Sequence, residues 1–279
     1  MKLVTYVAGS QKPRVGMLEN GNVIDAGFDG DMVAFIEAGA PTGKRTHVGD
    51  AQLLAPLRPR SMRDFLTFEG HMQNALGRLG LRIPDEWYTT PAYYKGIPST
   101  VIGPDEEIPW PSYTNRLDHE LELAAVIGAP GRDIPTGDAL EHIFGWTIWN
   151  DVSARDVQAG ELKLGLGPAK AKDWDGSNVL GPCIVTRDEL DASNLGMVVR
   201  VNGETWGEDT TANMHHSFAD LIAYASLAQM LHPGELLGSG TAAGGSGLEL
   251  DRWLQPGDEV ELEIEGIGIL RNRIGTKGA

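Results

Sequence analysis

Two glutamates separated by one residue lie inside an apolar stretch of the chain, where a pair of carboxylates could bind a cation or hold a proton. Glu120 and Glu122 belong to the run 117–128, in which Leu121 and Leu123 alternate with them. Alternate side chains of an extended chain share one face, so the two carboxylates would lie about 7 Å apart and repel by roughly 2 kcal/mol at an effective dielectric of about 20. A hard divalent cation or a proton would relieve that repulsion. Taken alone, the pair is more typical of an edge strand with one face in water.

A third carboxylate, Asp151, follows the apolar run 144–149 and precedes Arg155 and Gln158. Arg155 and Gln158 could share a helical face with it, and on that interpretation Asp151 is more typical of a helix cap than of a metal ligand. A carboxylate set without cysteine or paired histidine ligands favours Mg²⁺ or Mn²⁺, with Ca²⁺ as a further candidate, over zinc. Three such ligands would leave positions open for water and a chelating substrate.

Two further side chains could act on a substrate held at such a site. Lys172 follows a loop rich in glycine and proline. It is either an ordinary surface lysine or, beside an anionic metal site, a group that holds a substrate carboxylate or enolate. His71 lies in the run 63–76, which predicts a helix. It is either a solvated helix histidine or, if it overhangs the metal, a general base.

The composition narrows the classes of partner. The net charge is −16 and no cluster of lysine and arginine is present, which argues against nucleic acids and anionic membranes. A small anionic substrate would then need a local cation. Neither a secretory signal nor a long apolar run is visible, so we expect a cytoplasmic enzyme. The single cysteine, Cys183, excludes an internal disulfide and lies in a run typical of a buried thiol.

The elements that must position these residues are mostly strands. Residues 1–60 are predicted to form a small N-terminal β-rich domain with a hairpin at Asn20-Gly21, and residues 61–279 a larger catalytic domain. A second helix is predicted over 218–231. Strands outnumber helices and the connections are rich in turns, so the sequence predicts a β-dominated α+β fold.

Several motifs together resemble the fumarylacetoacetate hydrolase superfamily. Each is weak alone, but jointly they are very specific, and they cover about residues 60 to 275. They are Asp64 with His71, Glu120-Leu121-Glu122, Asn150-Asp151, Ser153-Ala154-Arg155-Asp156, Gln158, Lys172, Leu180-Gly181-Pro182 and Ser239-Gly240-Thr241.

The resemblance implies a mixed β-roll catalytic domain that is commonly dimeric, so we expect a homodimer. It implies that Glu120, Glu122 and Asp151 bind Mg²⁺ or a similar ion, with Asp64 as a further carboxylate of the metal shell and His71 as the catalytic histidine. It also implies a set of residues around the substrate, namely Arg155, Gln158, Lys172, Tyr94 and Thr241.

The partner of the histidine differs within the family that the sequence resembles. Some smaller relatives carry a glutamate three residues after the histidine, and that position is Asn74 here. The eponymous hydrolase also has asparagine there, and a glutamate late in its chain orients the histidine instead. Glu249 is the best match for that late glutamate.

The leading functional hypothesis is hydrolytic cleavage of a carbon–carbon bond in a β-diketo acid of the acylpyruvate or fumarylacetoacetate type, through a metal-bound enolate, as in aromatic compound catabolism. His71, oriented by Glu249, would activate water, Lys172 would assist at the enolate, and Arg155 would clamp a substrate carboxylate. Decarboxylation of oxaloacetate and keto–enol isomerisation of a hydroxydienoate need the same enolate and stay open. A metal-binding protein without catalysis is a further alternative.

Overall fold

Strands make up most of the regular structure in the computed structural model, which describes residues 1–41, 43–78 and 80–278. The strands are β1 (Lys2–Ala8), β2 (Arg14–Glu19), β3 (Asn22–Asp25), β4 (Thr46–Val48), β5 (Ala51–Leu54), β6 (Met62–Phe65), β7 (Tyr93–Gly96), β8 (Val101–Ile102), β9 (Glu107–Trp110), β10 (Leu117–Asp118), β11 (Leu121–Ile127), β12 (Ile143–Asp151), β13 (Ser153–Ala154), β14 (Asn178–Thr186), β15 (Gly196–Val201), β16 (Glu204–Thr210), β17 (Leu236–Gly238), β18 (Glu259–Ile264) and β19 (Gly268–Lys277). The α-helices are α1 (Met32–Glu37), α2 (Glu69–Gly77), α3 (Arg155–Lys163), α4 (Phe218–Ala225) and α5 (Gly247–Leu250). The predicted β-dominated α+β class is confirmed.

Most strands belong to one large mixed sheet in the order β4-β3-β2-β1-β14-β12-β11-β17-β6-β7, with β5 paired to β1 and β8 to β14. A second sheet has the order β16-β15-β18-β19-β9, and β10 pairs with β13. In β18 the buried Val260, Leu262 and Ile264 alternate with half-buried glutamates, as expected of a strand with one face toward the core. No α-helix in the described part of the chain is long and apolar enough to cross a membrane.

The strands of residues 1–60 continue the large sheet, because β1 pairs with β14 through Lys2 with Val185 and Leu3 with Ile184. The hairpin predicted at Asn20-Gly21 joins β2 to β3, and both residues have positive φ as a tight hairpin turn requires. The division into two domains near residue 60 stays a prediction, because strand pairing alone does not show which part folds independently.

The strand β11 lies in the interior of the large sheet, between β12 and β17. All seven of its residues are buried, so the alternative of an edge strand with one wet face is wrong. Cys183 in β14 is also fully buried, as predicted.

Two predicted helices are shorter than expected. The run 63–76 divides into strand β6, whose four residues are buried between β17 and β7, and helix α2, which begins at Glu69. Four residues are too few for their pattern to distinguish a helix from a strand, and here the pairing on both sides favours a strand. The helix predicted over 218–231 ends at Ala225, and the positive φ of Ala228 is incompatible with its continuation.

Candidate metal centre and active site

Four carboxylates from different parts of the chain meet at one point. Asp64, Glu120, Glu122 and Asp151 are all buried, and each offers an oxygen within 4.8 Å of those offered by the others. Asp64 lies in β6, Glu122 in β11 and Asp151 at the end of β12, while Glu120 immediately precedes β11. Asp151 therefore ends a strand and does not cap helix α3, whose N-cap residue is Ala154.

Strand register brings these positions together. Leu121 pairs with Asn150 across β11 and β12, and Ala124 pairs with Gly238 on the other side, across β11 and β17. Gly238 in turn pairs with Asp64 across β17 and β6. A Cβ atom at Gly238 would lie 2.6 Å from Asp64 Oδ1, so this close approach requires glycine.

The carboxylate oxygens suit a hard divalent cation. Among the described residues, both side-chain oxygens of Glu122 and Oδ1 of Asp151 are buried without a hydrogen-bond partner. Buried polar atoms that lack a partner are rare, because each loses its hydration without compensation. An ion bound by oxygen ligands, such as Mg²⁺ or Mn²⁺, would satisfy these atoms. The donor set thus fits the predicted metal, whose identity the fit leaves open.

The four carboxyl groups of the cluster differ strongly in the direction and size of their pKa shifts. Burial raises the pKa of Asp64 and Glu122 well above the ordinary range, and the negative charges of Asp151 and Glu120 raise the pKa of both further. Burial also raises the pKa of Asp151, to about 6, although Lys172 opposes that shift. At Glu120 burial acts in the same direction, but the charges of Arg155, Lys172 and His71 outweigh it and hold the pKa well below its usual range.

These raised pKa values predict that metal binding releases protons. Because burial raises both pKa values, Asp64 and Glu122 hold their protons to higher pH than ordinary carboxyl groups, and a cation that binds their carboxylate forms competes with those protons. We therefore expect Mg²⁺ or Mn²⁺ affinity to increase as the pH rises. Calorimetric titration in two buffers of different ionisation enthalpy measures the number of protons released. An affinity that is constant between about pH 6 and 8 would contradict the expected linkage.

Lys172 is the cation nearest to the cluster. It is buried, and its Nζ donates hydrogen bonds to Glu120 and Asp151. Burial alone would lower the pKa of Lys172, but the carboxylates of Asp151 and Glu120 raise it above the ordinary value. An ammonium group has three N–H donors, so one remains for a substrate. The alternative of a surface lysine is wrong.

Removing this charge should destabilise the metal-free protein most. In Lys172→Met the buried Asp151 loses its cation and Glu120 retains only Arg155, and breaking a buried ion pair typically costs about 3 to 5 kcal/mol. We expect a lower unfolding temperature in EDTA and partial recovery with Mn²⁺, measured by differential scanning fluorimetry. The exposed Lys170 lies in the same segment, and Lys170→Met is the matched control. Equal losses with and without Mn²⁺ would contradict a role for Lys172 in balancing the cluster.

Arg155 makes contacts that differ from those of a substrate clamp. Its Nη2 donates to Glu120 at 2.6 Å, its Nε to Asp118 at 2.8 Å, and its Nη1 to Gln158 at 2.9 Å. Arg155 is buried and Gln158 half-buried, and both lie in helix α3. The observed contacts are those of a residue that positions Glu120, while contact of Arg155 or Gln158 with substrate stays a prediction.

His71 is paired with the glutamate suggested by the resemblance. Its Nδ1 lies 2.8 Å from Glu249 Oε1, and both side chains are buried. Glu249 also accepts hydrogen bonds from Asn74 Nδ2 at 2.9 Å, from Gly244 N–H at 2.8 Å and from Ser246 Oγ at 3.1 Å. Burial alone would raise the pKa of Glu249, but the hydrogen bonds from His71, Asn74 and Gly244 hold it below its ordinary value. A charged Glu249 favours the His71 tautomer that carries its proton on Nδ1.

The remaining predicted residues lie around the cluster. The hydroxyl group of Tyr94 donates to Asp151 at 2.6 Å, and Tyr94 faces Asp64 across β6 and β7. Thr241 is buried in the loop after β17, next to Gly240, whose N–H donates to Asp64 at 3.1 Å. Their contact with a substrate stays a prediction.

Sequence reasoning missed Asp118, which is fully buried and accepts a hydrogen bond from Arg155. A signal was present, because Asp118 precedes Glu120 by the same spacing of two that separates Glu120 from Glu122. Polar residues at alternate positions of an apolar run share a face in an extended chain, and this pattern extends to Asp118.

A buried carboxylate cluster beside a histidine that is held by a glutamate has the composition of an enzyme site. Comparison with protein families matches residues 61–275 to the model described as "Fumarylacetoacetate (FAA) hydrolase C-terminal", and residues 1–56 to the one described as "Rv2993c-like, N-terminal". The chain therefore belongs to the fumarylacetoacetate hydrolase family, whose members are enzymes.

Individual relatives have different activities. "Oxaloacetate tautomerase Fahd2a, mitochondrial" from Rattus norvegicus is 33% identical over 299 residues, which cover 98% of this chain and 91% of the relative. The fumarylacetoacetate hydrolase of Exiguobacterium antarcticum superposes with a TM-score of 0.84 at 29% identity, covering 99% and 100% of the two chains. The 5-carboxymethyl-2-hydroxymuconate delta-isomerase of Mycobacterium smegmatis gives a TM-score of 0.81 at 29% identity, with the same coverage. The predicted fold of this family is confirmed.

Proposed function

We propose that the protein hydrolyses a carbon–carbon bond in a β-diketo acid of the acylpyruvate or fumarylacetoacetate type, with Mg²⁺ or Mn²⁺ as cofactor. The observation that carries the proposal is the His71–Glu249 pair, which Ser246 connects to the four buried carboxylates. The hydroxyl group of Ser246 donates to Glu249, and the backbone of Ser246 pairs with that of Glu120. Hydrolysis needs a base for water in addition to stabilisation of a leaving enolate, and this pair has the geometry of such a base.

Asp64, Glu120, Glu122 and Asp151 would hold the divalent ion. When bound, the ion would polarise the keto and carboxylate oxygens of the substrate and stabilise negative charge on the leaving fragment.

The chain supplies the proton transfers. With its Nδ1 proton held by Glu249, His71 has a lone pair on Nε2 that accepts a proton from water. The water oxygen forms a bond to the distal carbonyl carbon of the substrate. The carbon–carbon bond then breaks, and its electron pair leaves with the keto-acid fragment as an enolate. The remaining N–H of Lys172 stabilises that enolate until it takes up a proton.

A second candidate is keto–enol tautomerisation of a dicarboxylic keto acid. It is favoured by the names of the rat tautomerase and of the mycobacterial isomerase. The reaction needs a base and enolate stabilisation but consumes no water, so the same residues would serve it. Decarboxylation of oxaloacetate has no comparable support among these relatives.

Isotope labelling separates the two candidates. The purified protein is incubated with acylpyruvates, fumarylacetoacetate and oxaloacetate in H₂¹⁸O, with Mg²⁺ or with EDTA, and the products are analysed by mass spectrometry. Hydrolysis places ¹⁸O in the new carboxylate of the released acid and requires the metal. Interconversion of keto and enol forms without carbon–carbon cleavage would favour the tautomerase. Turnover that EDTA leaves unchanged would contradict the metal-dependent proposal.

A homodimer, a cytoplasmic location and a small anionic keto acid as substrate, with neither nucleic acid nor membrane as partner, belong to the same proposal. They rest on the family resemblance and on the net charge of −16. Light scattering after size-exclusion chromatography gives the mass of the particle, and a monomer at micromolar concentration would contradict the dimer.

A further inference from the structure

One buried carboxylate outside the metal cluster, Asp118, binds groups that lead to both halves of the candidate site. Asp118 has no exposed surface, and each of its oxygens accepts two hydrogen bonds. Its Oδ1 accepts from the backbone N–H groups of His119 at 3.0 Å and Gly247 at 2.8 Å. Its Oδ2 accepts from Arg155 Nε at 2.8 Å and from the N–H of Leu248 at 3.0 Å.

The first half is the metal cluster. Arg155 uses one side of its guanidinium group for Asp118 and another for Glu120, whose carboxylate lies in the cluster. A planar guanidinium group held at two carboxylates has little rotational freedom. Asp118 therefore determines where Arg155, and through it Glu120, can lie.

The second half is the His71–Glu249 pair, in which His71 is the proposed general base. The N–H groups of Gly247 and Leu248 form the start of helix α5, and the next residue of that helix is Glu249, the partner of His71. The approach is close, because a Cβ atom at Gly247 would lie 2.7 Å from Asp118 Oδ1. Holding the first turn of α5 fixes the position from which the Glu249 side chain reaches His71.

We propose that Asp118 is a positioning residue that sets the metal cluster and the His71–Glu249 pair relative to each other. None of the four groups that donate hydrogen bonds to Asp118 is a reacting group or belongs to the carboxylate cluster. Asp118 therefore acts through Arg155 and through α5. The catalytic readout rests on the proposed function, whereas metal affinity and the tautomer of His71 can be measured without a substrate.

The test uses Asp118→Asn, which retains the shape of the side chain but removes its charge. One oxygen is replaced by an NH₂ group, a donor that would face the N–H donors bound by Asp118. Mn²⁺ affinity is measured by electron paramagnetic resonance, and the His71 tautomer by ¹⁵N NMR of the metal-free protein, above the ordinary imidazole pKa of about 6.5. We expect Mn²⁺ binding to weaken about 10- to 100-fold, as for other residues that orient metal ligands. The His71 ring should change from the Nδ1–H form to a mixture of tautomers.

The matched control is Asp25→Asn. Asp25 also accepts from an arginine, Arg14, at 2.6 and 3.1 Å, from a backbone N–H, that of Gly27 at 2.6 Å, and from the hydroxyl group of Tyr6, but it lies in β3 within residues 1–60. Its loss should lower the unfolding temperature without changing Mn²⁺ affinity or the tautomer. A change in only one of the two readouts in Asp118→Asn, or in neither, would overturn the proposal.

Arg155→Lys is the second variant, for use if Asp118→Asn does not fold. Arg155 donates to Asp118, Glu120 and Gln158 and not to His71 or Glu249, so its effect on the tautomer is indirect. It passes through Asp118 and α5, or through Glu120, whose backbone pairs with that of Ser246. We expect the tautomer to shift together with Mn²⁺ affinity, and an unchanged tautomer would overturn the proposal.

Where turnover is measurable, Asp118→Asn should lower kcat far less in a Glu249→Gln background than in the wild type, because both changes act on His71. Independent, multiplicative losses would contradict the coupling. If no substrate is turned over, the proposed function fails, while the binding and NMR results still decide the role of Asp118.

Discussion

Glu122→Gln is expected to abolish stabilisation by divalent metal and metal-dependent turnover while leaving the metal-free protein as stable as the wild type, or more stable. The reason is that both oxygens of Glu122 are buried without a partner among the described residues, and burial raises its pKa. Because burial favours the neutral acid form of Glu122, a neutral amide replaces it at little cost in stability when no metal is bound. With the metal, however, a charged ligand is lost.

The expected size can be stated for thermal unfolding. At a free Mn²⁺ concentration of about 100 times Kd, binding raises the wild-type free energy of unfolding by about 2.7 kcal/mol, and the unfolding temperature by about 5 to 10 °C. Glu122→Gln should lose most of this shift and at least about 10³-fold in kcat/KM, or about 4 kcal/mol.

Glu235→Gln is the matched control, because Glu235 is a buried glutamate outside the cluster, paired with Arg63 at 2.6 Å. It should lower stability equally with and without Mn²⁺. A full Mn²⁺ shift in Glu122→Gln would show that Glu122 is not a ligand.

His71→Asn should have the opposite profile, with a normal Mn²⁺ shift and a large loss of hydrolysis. Removing a general base typically costs about 10²- to 10⁴-fold in rate, and His71 makes its recorded side-chain hydrogen bond to Glu249 and not to the carboxylate cluster. Incorporation of ¹⁸O into the released acid measures the hydrolytic step directly.

Glu249→Gln should give a smaller loss than His71→Asn, because Glu249 orients the base and does not itself take the proton. His47→Asn is the control, since His47 is exposed in β4. Hydrolysis that persists at the wild-type rate in His71→Asn would remove this residue from the mechanism.

Much of the candidate site could be predicted from local sequence. Glu120 and Glu122 follow from a spacing of two in an apolar run, and the hairpin follows from Asn20-Gly21, because both depend on neighbouring residues. The family resemblance added Asp64 and Glu249 and assigned the catalytic role to His71. The structure places Asp64 in the carboxylate cluster and Glu249 against His71.

The remainder depends on contacts between residues that are far apart in the chain. Local pattern could not show that residues 62–65 form an interior strand, because one of their two pairing partners, Leu236–Gly238, lies about 170 positions later. Nor could it show that Arg155 pairs with Asp118 and Glu120, since a guanidinium group binds a protein carboxylate as readily as a substrate carboxylate. The partners of a buried charge are decided by tertiary packing.

The pairing of β1 with β14 and of β17 with β6 has a consequence for biosynthesis. Lys2 cannot pair with Val185, and Asp64 cannot pair with Gly238, until the later residue of each pair has been synthesised. At about 5 to 20 residues per second, the ribosome needs roughly 10 to 40 s to add the intervening residues. The nascent chain therefore exposes unpaired strand edges during most of translation, and Asp64 can join the other three carboxylates through this pairing only when synthesis is nearly complete.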